Sequence, residues 1–483
     1  MHNEQVFTPE HVVDTMFEEL EYNGNNVRNK HIIDNSCGNG AILKKVVRTY
    51  INVCIMCGLS KKETVNELET YIHGIEIDGS LVKETVETLD KIAEEYSLGN
   101  VNWDVMCSDS LFVREYDNRM DYVIGNPPYC NIHDIPKFKR DFVKQHQFAN
   151  GGMTDMFLVF FEIGIKMLKD DGKLIYITPN SWLTSTAGTN FRKYLKRNNV
   201  LLSIYQYGHY RVFSNANTYT CITLISKKPK EDDLFICHRN VSDESLHFVM
   251  TYESLKKCMV DDKIYLADEN VLRTLRNINN KCQEKGKKRI RAKNGFATLN
   301  DKFFIVDDFV KENGLCENII SVYKASNGEK HYFFYPYDKD GKPISSYSSI
   351  KDEKLSNYLI NKAKNMDIDT ESNTWYYYGR TQAINDVKYD KLCFNNLIRK
   401  REDLKIQFLS NDDENQQGVY SGYYIPIYNE ENYKEIMNII SSNIMNEFVE
   451  YVKAIGKYKN GGYYTFSSKE LENWFNYVCD YYL

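Results

Sequence analysis

The first 230 or so residues alternate strand-like apolar runs with helix-like segments, and this alternation constrains the fold more than any other feature. The run HIIDNS (31–36) is β-branched and stops at small and polar residues, as a buried strand does. The segment after it spaces its apolar residues for one face of a helix. Strands and helices that alternate in this way form a mostly parallel sheet covered on both faces. The sequence therefore predicts a doubly wound α/β fold.

Later segments continue the pattern. Further predicted strands are 71–78, a run that ends near residue 109, 120–125, 174–180, 203–208 and 219–226. Predicted helices are 41–59, 80–96, 154–169 and 190–198. Ligands of doubly wound sheets bind at the carboxyl ends of the strands. In this chain those ends are 34–40, 76–78, 109 and 126–129, so we expect the site there.

A change of character follows the polar segment 226–233: the alternation weakens, and tyrosine and asparagine become frequent. We place a domain boundary near residue 240, which gives a first domain over 1–240 and a second over 241–483. A basic stretch, 273–293, lies early in the second domain. It could contact phosphate or be an ordinary solvated helix and loop.

Bulk composition excludes several classes of protein. The chain has 483 residues, a formal charge of −6 and 27% charged residues, which argues weakly against a protein that coats nucleic acid. Its longest apolar stretch, 156–168, is interrupted by Glu162 and Lys166 and is too short to span a bilayer. The N-terminus lacks the apolar core of a secretion signal, and the 12 cysteines form no disulfide pattern. We expect a cytoplasmic protein without a membrane segment.

Two patterns indicate a nucleoside ligand. The loop DNSCGNG (34–40) follows a strand and opens a helix, and its glycines let the backbone approach a ligand closely. It has only Gly38 and Gly40, so it is not a GxGxxG fingerprint. Glu76 ends the next strand, where a carboxylate could accept hydrogen bonds from ribose hydroxyls. A structural turn followed by a surface glutamate is the alternative reading.

The segment GNPPYCN (125–131) ends the fourth strand. Asn followed by two prolines is a common turn signal, so these residues alone favour a plain turn. The paired cysteines Cys54 and Cys57 lie in an apolar helix, and no second pair at zinc spacing follows them. We expect no metal.

Taken together and in this order, the motifs resemble those of a known enzyme family. DNSCGNG, GIEID (74–78), SDSL (108–111) and NPPY (126–129), preceded by the FTP-like segment QVFTPEHVVDTM (5–16), resemble the S-adenosylmethionine-dependent N6-adenine DNA methyltransferases of the gamma class. Segments 154–183, 212–226, 295–306 and 375–382 also have counterparts in that class, which makes the resemblance dense up to residue 230 and patchy beyond it. It implies a Rossmann-like methyltransferase sheet followed by an α+β target-recognition domain.

The resemblance implies S-adenosyl-L-methionine as cofactor. Asp34 and Ser36 are expected to hold its methionine part, Glu76 its ribose, and Asp109 the amino edge of its adenine. The full set implied for the cofactor is Val6, Phe7, Thr8, Asp34, Ser36, Gly38, Glu76, Ile77, Asp109, Ser110 and Asn126. One departure is Asn35-Ser36, where many relatives have Pro and a small residue. This departure affects the expected geometry of the loop more than its role.

The resemblance also assigns chemistry to NPPY. Adenine N6 is a poor nucleophile, and the Asn126 amide oxygen and the Pro127 carbonyl could both accept its hydrogens and direct its lone pair at a methyl group. Pro127 and Pro128 would stiffen the loop. Tyr129 would stack on a base swung out of the duplex. Phe213 is the candidate for the opposite face of that base, or else an ordinary core aromatic.

Basic and amide side chains are the candidates for contact with double-stranded DNA. They are Lys137, Lys139, Arg140, Lys287, Lys288, Arg289, Arg291, Arg380 and Gln382. Solvated or structural roles stay open for all of them.

The predicted function is a site-specific adenine-N6 DNA methyltransferase. Methylation of protein glutamine or of RNA is an alternative, and so is a silent DNA-binding relative, which the intact Asn126, Pro127 and Tyr129 disfavour. We expect a monomer. The chain begins directly at the FTP-like segment, so a fused N-terminal nuclease is not expected. A separate restriction endonuclease as partner stays open.

Overall fold

The computed structural model of the chain describes residues 7–150, 153–213, 218–228, 235–240, 243–250, 259–260, 262–267, 269–283, 290–338, 341–372, 374–411 and 417–482. The chain divides into two compact units, Met1–Leu272 and Arg273–Leu483. Segment 241–272 lies in the first of them. The boundary near residue 240 was predicted from the change in composition and was meant to mark the end of the catalytic domain. It stays a prediction.

A mostly parallel sheet organises the first unit. Its strands are β1 (Ile32–Asp34), β2 (Ile72–Glu76), β3 (Asp104–Cys107), β4 (Met120–Gly125), β5 (Leu168–Pro179), β6 (Leu201–Gln206), β7 (Thr220–Ser226), β8 (Phe235–Asn240) and β9 (Asp243–Met250). The order across the sheet is β3-β2-β1-β4-β5-β7-β6-β8-β9. Strands β1 to β5 pair in parallel, and β7 runs antiparallel between β5 and β6. A short hairpin, β10 (Met259–Val260) with β11 (Lys263–Ile264), lies outside this sheet.

Helices connect the strands. They are α1 (Glu10–Leu20), α2 (Ala41–Met56), α3 (Lys61–Tyr71), α4 (Gly79–Glu95), α5 (Lys137–Val143), α6 (Met156–Met167) and α7 (Thr189–Asn198). Local sequence explains several of their ends. Ser60 and Glu63 form a reciprocal capping box that starts α3. The Asp78 side chain accepts the Ser80 N–H at the start of α4. Helix α6 is buried along most of its length, which is why its sequence is apolar on nearly every face.

Two buried clusters cover the faces of this sheet. One contains α6, with Phe157 and Phe161 fully covered, and the other contains α1 and α2, with Val46 and Tyr50 fully covered. Continuous apolar strands are expected when both faces of a parallel sheet are covered. The doubly wound α/β fold predicted from the alternation is confirmed.

The second unit mixes short strands and helices. Helix α8 (Glu269–Gln283) begins before the division between the units, and the helices after it are α9 (Asp301–Phe304), α10 (Asp307–Asn313), α11 (Glu353–Asn365), α12 (Glu430–Ser441), α13 (Ile444–Ile455) and α14 (Ser468–Tyr482). The strands are β12 (Lys293–Asn294), β13 (Ile319–Lys324), β14 (Glu329–Phe334), β15 (Lys391–Phe394), β16 (Leu397–Ile398), β17 (Ile406–Leu409), β18 (Gln417–Tyr420), β19 (Tyr423–Pro426), β20 (Tyr458–Lys459) and β21 (Tyr463–Thr465).

These strands form three small sheets, ordered β12-β19-β15-β17, β14-β13-β18 and β16-β21-β20. An aromatic cluster packs beside them: Phe296 stacks on Tyr378 at 4.8 Å between ring centroids, and Tyr378 donates to the Phe334 carbonyl at 2.8 Å. This architecture is α+β, as expected. Within the described ranges, no helix has both the length and the apolar character that crossing a membrane requires.

Candidate active site at the carboxyl ends of the parallel strands

The strand order reverses between β1 and β4, which makes this pair the topological switch point of the sheet. Asp34, at the end of β1, is paired in register with Ile124 of β4. The loop 35–40 and the loop 126–129 therefore leave the sheet side by side at one edge. Ligands of doubly wound sheets bind in the crevice at this position.

Asp34, Ser36 and Gly125 form the centre of this edge. The Asp34 carboxyl is 1% exposed, and its Oδ1 accepts the Ser36 N–H at 3.1 Å. A Cβ atom at Gly125 would lie 3.2 Å from Asp34 Oδ1 and 3.4 Å from Ser36 Oγ, so only glycine fits here without displacing them. The NPPY loop thus begins in direct contact with the glycine-containing loop.

Asp34 and Ser36 retain binding capacity. Burial raises the pKa of the Asp34 carboxyl to about 8, and the negative charge of Glu76 adds to the effect. Ser36 Oγ is buried and has no hydrogen-bond partner in the part of the chain that the structure describes. A buried carboxyl beside a hydroxyl without a partner fits a ligand with a cationic amino group.

Glu76 fixes the glycine-containing loop. Its Oε2 accepts the Gly38 N–H at 2.9 Å and its Oε1 accepts the Asp78 N–H at 2.9 Å. Gly38 has φ +54°, a conformation that favours glycine. Each carboxylate oxygen keeps a further lone pair, so Glu76 could still accept ribose hydroxyls.

The unusual Asn35 is a buried link between strands. Its Oδ1 accepts the Tyr176 hydroxyl at 2.8 Å, and its carbonyl accepts the Ser110 hydroxyl at 2.6 Å. Ser110, which the resemblance assigns to the cofactor, therefore uses its hydroxyl to hold the loop. The sequence did not indicate a role for Tyr176, because its contact joins residues 141 positions apart.

Apolar side chains surround this edge. Phe7 is 46% exposed, Ile77 57% and Phe112 48%. The Phe7 ring lies over Gly38, since a Cβ there would be 3.9 Å from the ring. Exposed apolar side chains that follow strand ends fit the faces of a planar base. Sequence reasoning missed Phe112, although its position just after SDSL was a signal.

Asp109 is engaged on both oxygens. Oδ1 accepts the Leu111 N–H at 3.0 Å, and Oδ2 lies 2.7 Å from Lys139 Nζ. Lys139 comes from α5, which follows the NPPY loop. A lysine proposed for DNA phosphate thus lies on the carboxylate proposed for the cofactor adenine.

The NPPY loop continues from β4, with Pro127 buried and Pro128 exposed. The Tyr129 hydroxyl donates to the Ile177 carbonyl at 3.2 Å. Its ring meets Phe213 edge to face, with centroids 6.0 Å apart and planes at 69°. Phe213 is 3% exposed, so the structure brings the two proposed stacking residues together but without a gap between parallel rings.

The DNA candidates differ in their surroundings. Lys137 is exposed, whereas Arg140 donates to the carbonyls of Ile135 and His133 at 2.7 and 2.8 Å. In the second unit, Arg380 and Gln382 are both exposed.

Arg291 lies 3.8 Å from Glu472, and its side chain is 55% exposed. Val6, Lys287, Lys288 and Arg289 lie outside the described residues. The roles of all these candidates stay predictions.

Among the described residues no cluster of three or more His, Cys, Asp or Glu side chains could hold a metal ion. Cys54 is buried and Cys57 exposed, both at the end of α2.

Fold and site together define a Rossmann-like methyltransferase unit joined to a second, α+β unit. Residues 46–213 match the model of the Eco57I restriction-modification methylase, which confirms the resemblance to restriction-modification methyltransferases without specifying the base that is methylated. This family implies S-adenosyl-L-methionine as cofactor, which the buried Asp34, the Ser36 hydroxyl and the exposed Ile77 fit.

Curated relatives are type II enzymes. The chain is 24% identical over 484 residues to the type II restriction enzyme and methyltransferase RM.Eco57I of Escherichia coli, with 80% of this chain and 48% of the relative covered. It is 23% identical over 339 residues to the type II methyltransferase M.BstVI of Geobacillus stearothermophilus, with 62% and 60% covered. The chain thus spans about half to three fifths of the length of these relatives.

Solved structures share the fold across both units. The Type IIL restriction-modification enzyme MmeI in complex with DNA has a TM-score of 0.66 at 13% identity, covering 96% of this chain and 67% of that one. The nuclease-deletion mutant of the Type ISP enzyme LlaGI has a TM-score of 0.56 at 12% identity, covering 95% and 53%. These likenesses extend the shared fold beyond the methyltransferase unit.

Proposed function

We propose that this protein transfers a methyl group from S-adenosyl-L-methionine to the N6 amino group of an adenine that is swung out of duplex DNA. The observation that carries the proposal is the contact between the two loops, where the Gly125 backbone lies against Asp34 and Ser36. Because Asn126 follows Gly125 directly, the acceptor loop starts beside the first residues of the cofactor loop. The donor and the acceptor of a methyl group would meet at this edge of the sheet.

The cofactor supplies an electrophilic methyl group on a sulfonium sulfur. The chain supplies its orientation: Asp34 and Ser36 would hold the methionine end, and Glu76 the ribose hydroxyls. Positioning of two reactants at close range can account for a large part of such a rate enhancement.

The NPPY loop would activate the acceptor. Adenine N6 shares its lone pair with the ring, and the Asn126 side-chain oxygen and the Pro127 carbonyl would accept its two hydrogens. The nitrogen then becomes more tetrahedral, and its lone pair points at the methyl group as positive charge develops. The proton can leave after the transfer, so no strong base is required. The two prolines restrict the loop and keep both acceptors in place.

Tyr129 and Phe213 supply an aromatic wall for the base. The edge-to-face pair is partly buried beside the NPPY loop. An adenine inside a duplex cannot reach this loop, so the target nucleotide has to leave the base stack.

The second unit would select the DNA site. Its support is the shared fold with MmeI, which was solved in complex with DNA, and the exposed Arg380 and Gln382, which can pair with guanine and adenine edges. The curated relatives are named as type II restriction or methyltransferase enzymes, which fits a sequence-specific activity. A separate restriction endonuclease is a compatible partner.

The test combines the protein with S-adenosylmethionine labelled on its methyl group and with adenine-containing duplex DNA. We expect label in DNA, recovered as N6-methyladenine after digestion to nucleosides. The Asn126→Ala variant should lose transfer by about 100-fold or more and still bind cofactor, since one transition-state hydrogen bond of this kind contributes about that much. Asn102→Ala is a matched control, because Asn102 is exposed and precedes β3, at the opposite edge of the sheet.

Each alternative has its own result. Label on protein or RNA but not on DNA would exclude a DNA methyltransferase. Label recovered as a methylated cytosine would exclude adenine as the target. Full activity in Asn126→Ala would remove the proposed role of Asn126.

A further inference from the structure

Leu299 is an exposed leucine in an unfavourable backbone conformation. Its side chain is 78% exposed, and its φ is +64°. Residues with a Cβ adopt positive φ rarely, and those that do are mostly Asn, Asp or His. Burial of the side chain cannot explain this strain, since most of the side chain lies in solvent.

Hydrogen bonds on both sides hold this conformation. The Arg380 N–H donates to the Ala297 carbonyl at 2.9 Å, and the Ala297 N–H donates back at 3.2 Å. The Asn300 N–H donates to Thr298 Oγ1 at 3.2 Å. Thr298 Oγ1 also hydrogen-bonds Asp301. The surrounding frame therefore fixes Leu299 in place.

Gly379 leaves room for the leucine. A Cβ atom at Gly379 would lie 2.1 Å from Leu299 Cδ1 and 2.3 Å from Cγ, so any larger residue would push the side chain aside. Arg380 follows directly and is exposed. Thr381 and Gln382 are exposed as well, and the Gln382 amide donates to the Gly295 carbonyl at 3.4 Å.

Backbone strain that the surroundings maintain clusters at binding sites. A protein partner usually takes a contiguous apolar patch, but here a single apolar side chain packs against Gly379, which directly precedes the exposed Arg380. Duplex DNA matches this mixture, because Arg and Gln pair with base edges and an apolar side chain contacts a thymine methyl or an opened base step.

We propose that Leu299 is an apolar base contact of the DNA-recognition unit, presented beside Arg380 and Gln382. The inference rests on the proposed DNA methyltransferase function and adds a specificity-determining residue to it. Leu299 acts on the bases and not on the phosphates.

The experiment compares the wild-type protein with three variants. Leu299→Asn removes the apolar side chain and accepts positive φ. Gly379→Ala keeps the leucine but displaces it. Leu315→Asn is the matched control, since Leu315 is 60% exposed in the same unit and has no positive φ.

Single-molecule sequencing of DNA from an expression host first identifies the methylated site. Binding to a duplex with that site and to a scrambled duplex is then measured over a range of salt concentrations. Leu299→Asn and Gly379→Ala should each lose about tenfold in affinity for the cognate duplex, with little change for the scrambled one. The salt slope should stay unchanged, because no phosphate contact is lost.

Thermal unfolding supplies the second readout. Leu299→Asn should melt higher by roughly 2–4 °C, because it relieves the strain at this position. Wild-type discrimination in Leu299→Asn would overturn the proposal, and so would an equal loss in Leu315→Asn. A wild-type protein that leaves DNA unlabelled would instead refute the proposed function, so the two failures are distinguishable.

Discussion

Lys139 Nζ lies 2.7 Å from Asp109 Oδ2, and both side chains are largely buried, at 21% and 18% exposed. This pair connects α5, just after the NPPY loop, to the end of β3. A lysine available to phosphate would be exposed, as Lys137 is on the same helix. The ion pair therefore places Lys139 next to the residue expected to contact the cofactor adenine.

Replacing Lys139 should affect the cofactor more than DNA. Lys139→Gln removes the ammonium that fixes Asp109 Oδ2, and we expect the KM for S-adenosylmethionine to rise about fivefold, in line with roughly 1 kcal/mol for a partly buried pair. The slope of DNA affinity against salt should stay as in the wild type. Steady-state kinetics and binding titrations at several salt concentrations measure both quantities.

Lys137→Gln is the matched control for this experiment. It removes a charge from the exposed side of the same short helix and leaves Asp109 paired. A phosphate contact by Lys139 would appear as a salt slope reduced by about one unit in Lys139→Gln, together with an unchanged KM for the cofactor.

Local patterns accounted for most of the methyltransferase sheet. Strands β1, β2, β4 and the second half of β5 are buried apolar runs that stop at polar residues, as the sequence of a buried parallel strand does. The positions of Asp34, Glu76 and Asn126 at strand ends followed from the same pattern. The register of β1 with β2 and β4 brings these ends to one edge.

Long-range contacts could not be read from the chain. The bonds from Tyr176 to Asn35 and from Lys139 to Asp109 join distant segments, and no local pattern indicates which side chains will meet. The positive φ of Leu299 could not be predicted from the sequence either, because leucine has no preference for this conformation. Family resemblance supplied residue roles but not these geometries.

The Tyr129–Phe213 pair must rearrange to hold a base. Parallel rings with a base between them are about 7 Å apart or more, twice the van der Waals spacing, whereas these rings meet edge to face with centroids 6.0 Å apart. We expect 2-aminopurine at the target position to brighten when the wild-type protein binds, because a flipped base leaves the neighbouring DNA bases that quench its fluorescence in the duplex.

Variants at this pair separate the ring from the hydroxyl. Tyr129→Ala should lower transfer by about 10- to 100-fold, since aromatic stacking contributes about 1–3 kcal/mol per base. Tyr129→Phe keeps the ring, loses only the hydrogen bond to Ile177, and should retain most activity. Equal losses in both variants would show that the hydroxyl, not the ring, is what matters.

The buried Asp34 carboxyl should make the free energy of unfolding depend on pH. Its pKa in the folded protein is about 8, above the ordinary value of 3.8, chiefly because of burial. Between these values the folded chain keeps a proton that the unfolded chain has released, so the contribution of Asp34 to stability falls as pH rises through this range. Asp34→Asn should therefore stabilise the cofactor-free protein at pH 7, on the order of 2–4 kcal/mol.

The same substitution should weaken cofactor binding, because the amide carries no charge for a cationic amino group. Thermal unfolding from pH 5 to 8.5 gives the stability difference between the two proteins, and titration calorimetry gives the affinity. A difference that does not grow with pH would contradict the buried-carboxyl account. Unchanged affinity would place the methionine end of the cofactor elsewhere.

Arg192 should be required for the loop that follows β5. Its guanidinium is 2% exposed and donates to the carbonyls of Trp182 and Ser185 at 2.5 and 2.8 Å. Asn190, two residues earlier, donates to the Ala149 carbonyl at 2.6 Å, which ties α7 to the segment between α5 and α6. Arg192→Met would leave the two carbonyls buried without a donor, at a cost of about 2–4 kcal/mol in the free energy of unfolding.

Denaturant unfolding measures that loss, with Arg197→Met as the control, because Arg197 is exposed on the same helix. Arg192→Lys should recover only part of the stability, since one ammonium cannot reproduce the planar fork that serves several acceptors. We assay methyl transfer by Arg192→Met well below its melting temperature. The activity should fall further than the loss of folded protein accounts for. The reason is that the loop Asn180–Leu183 directly follows β5, whose Ile177 carbonyl accepts the Tyr129 hydroxyl. Activity in proportion to the folded fraction would restrict Arg192 to a structural role.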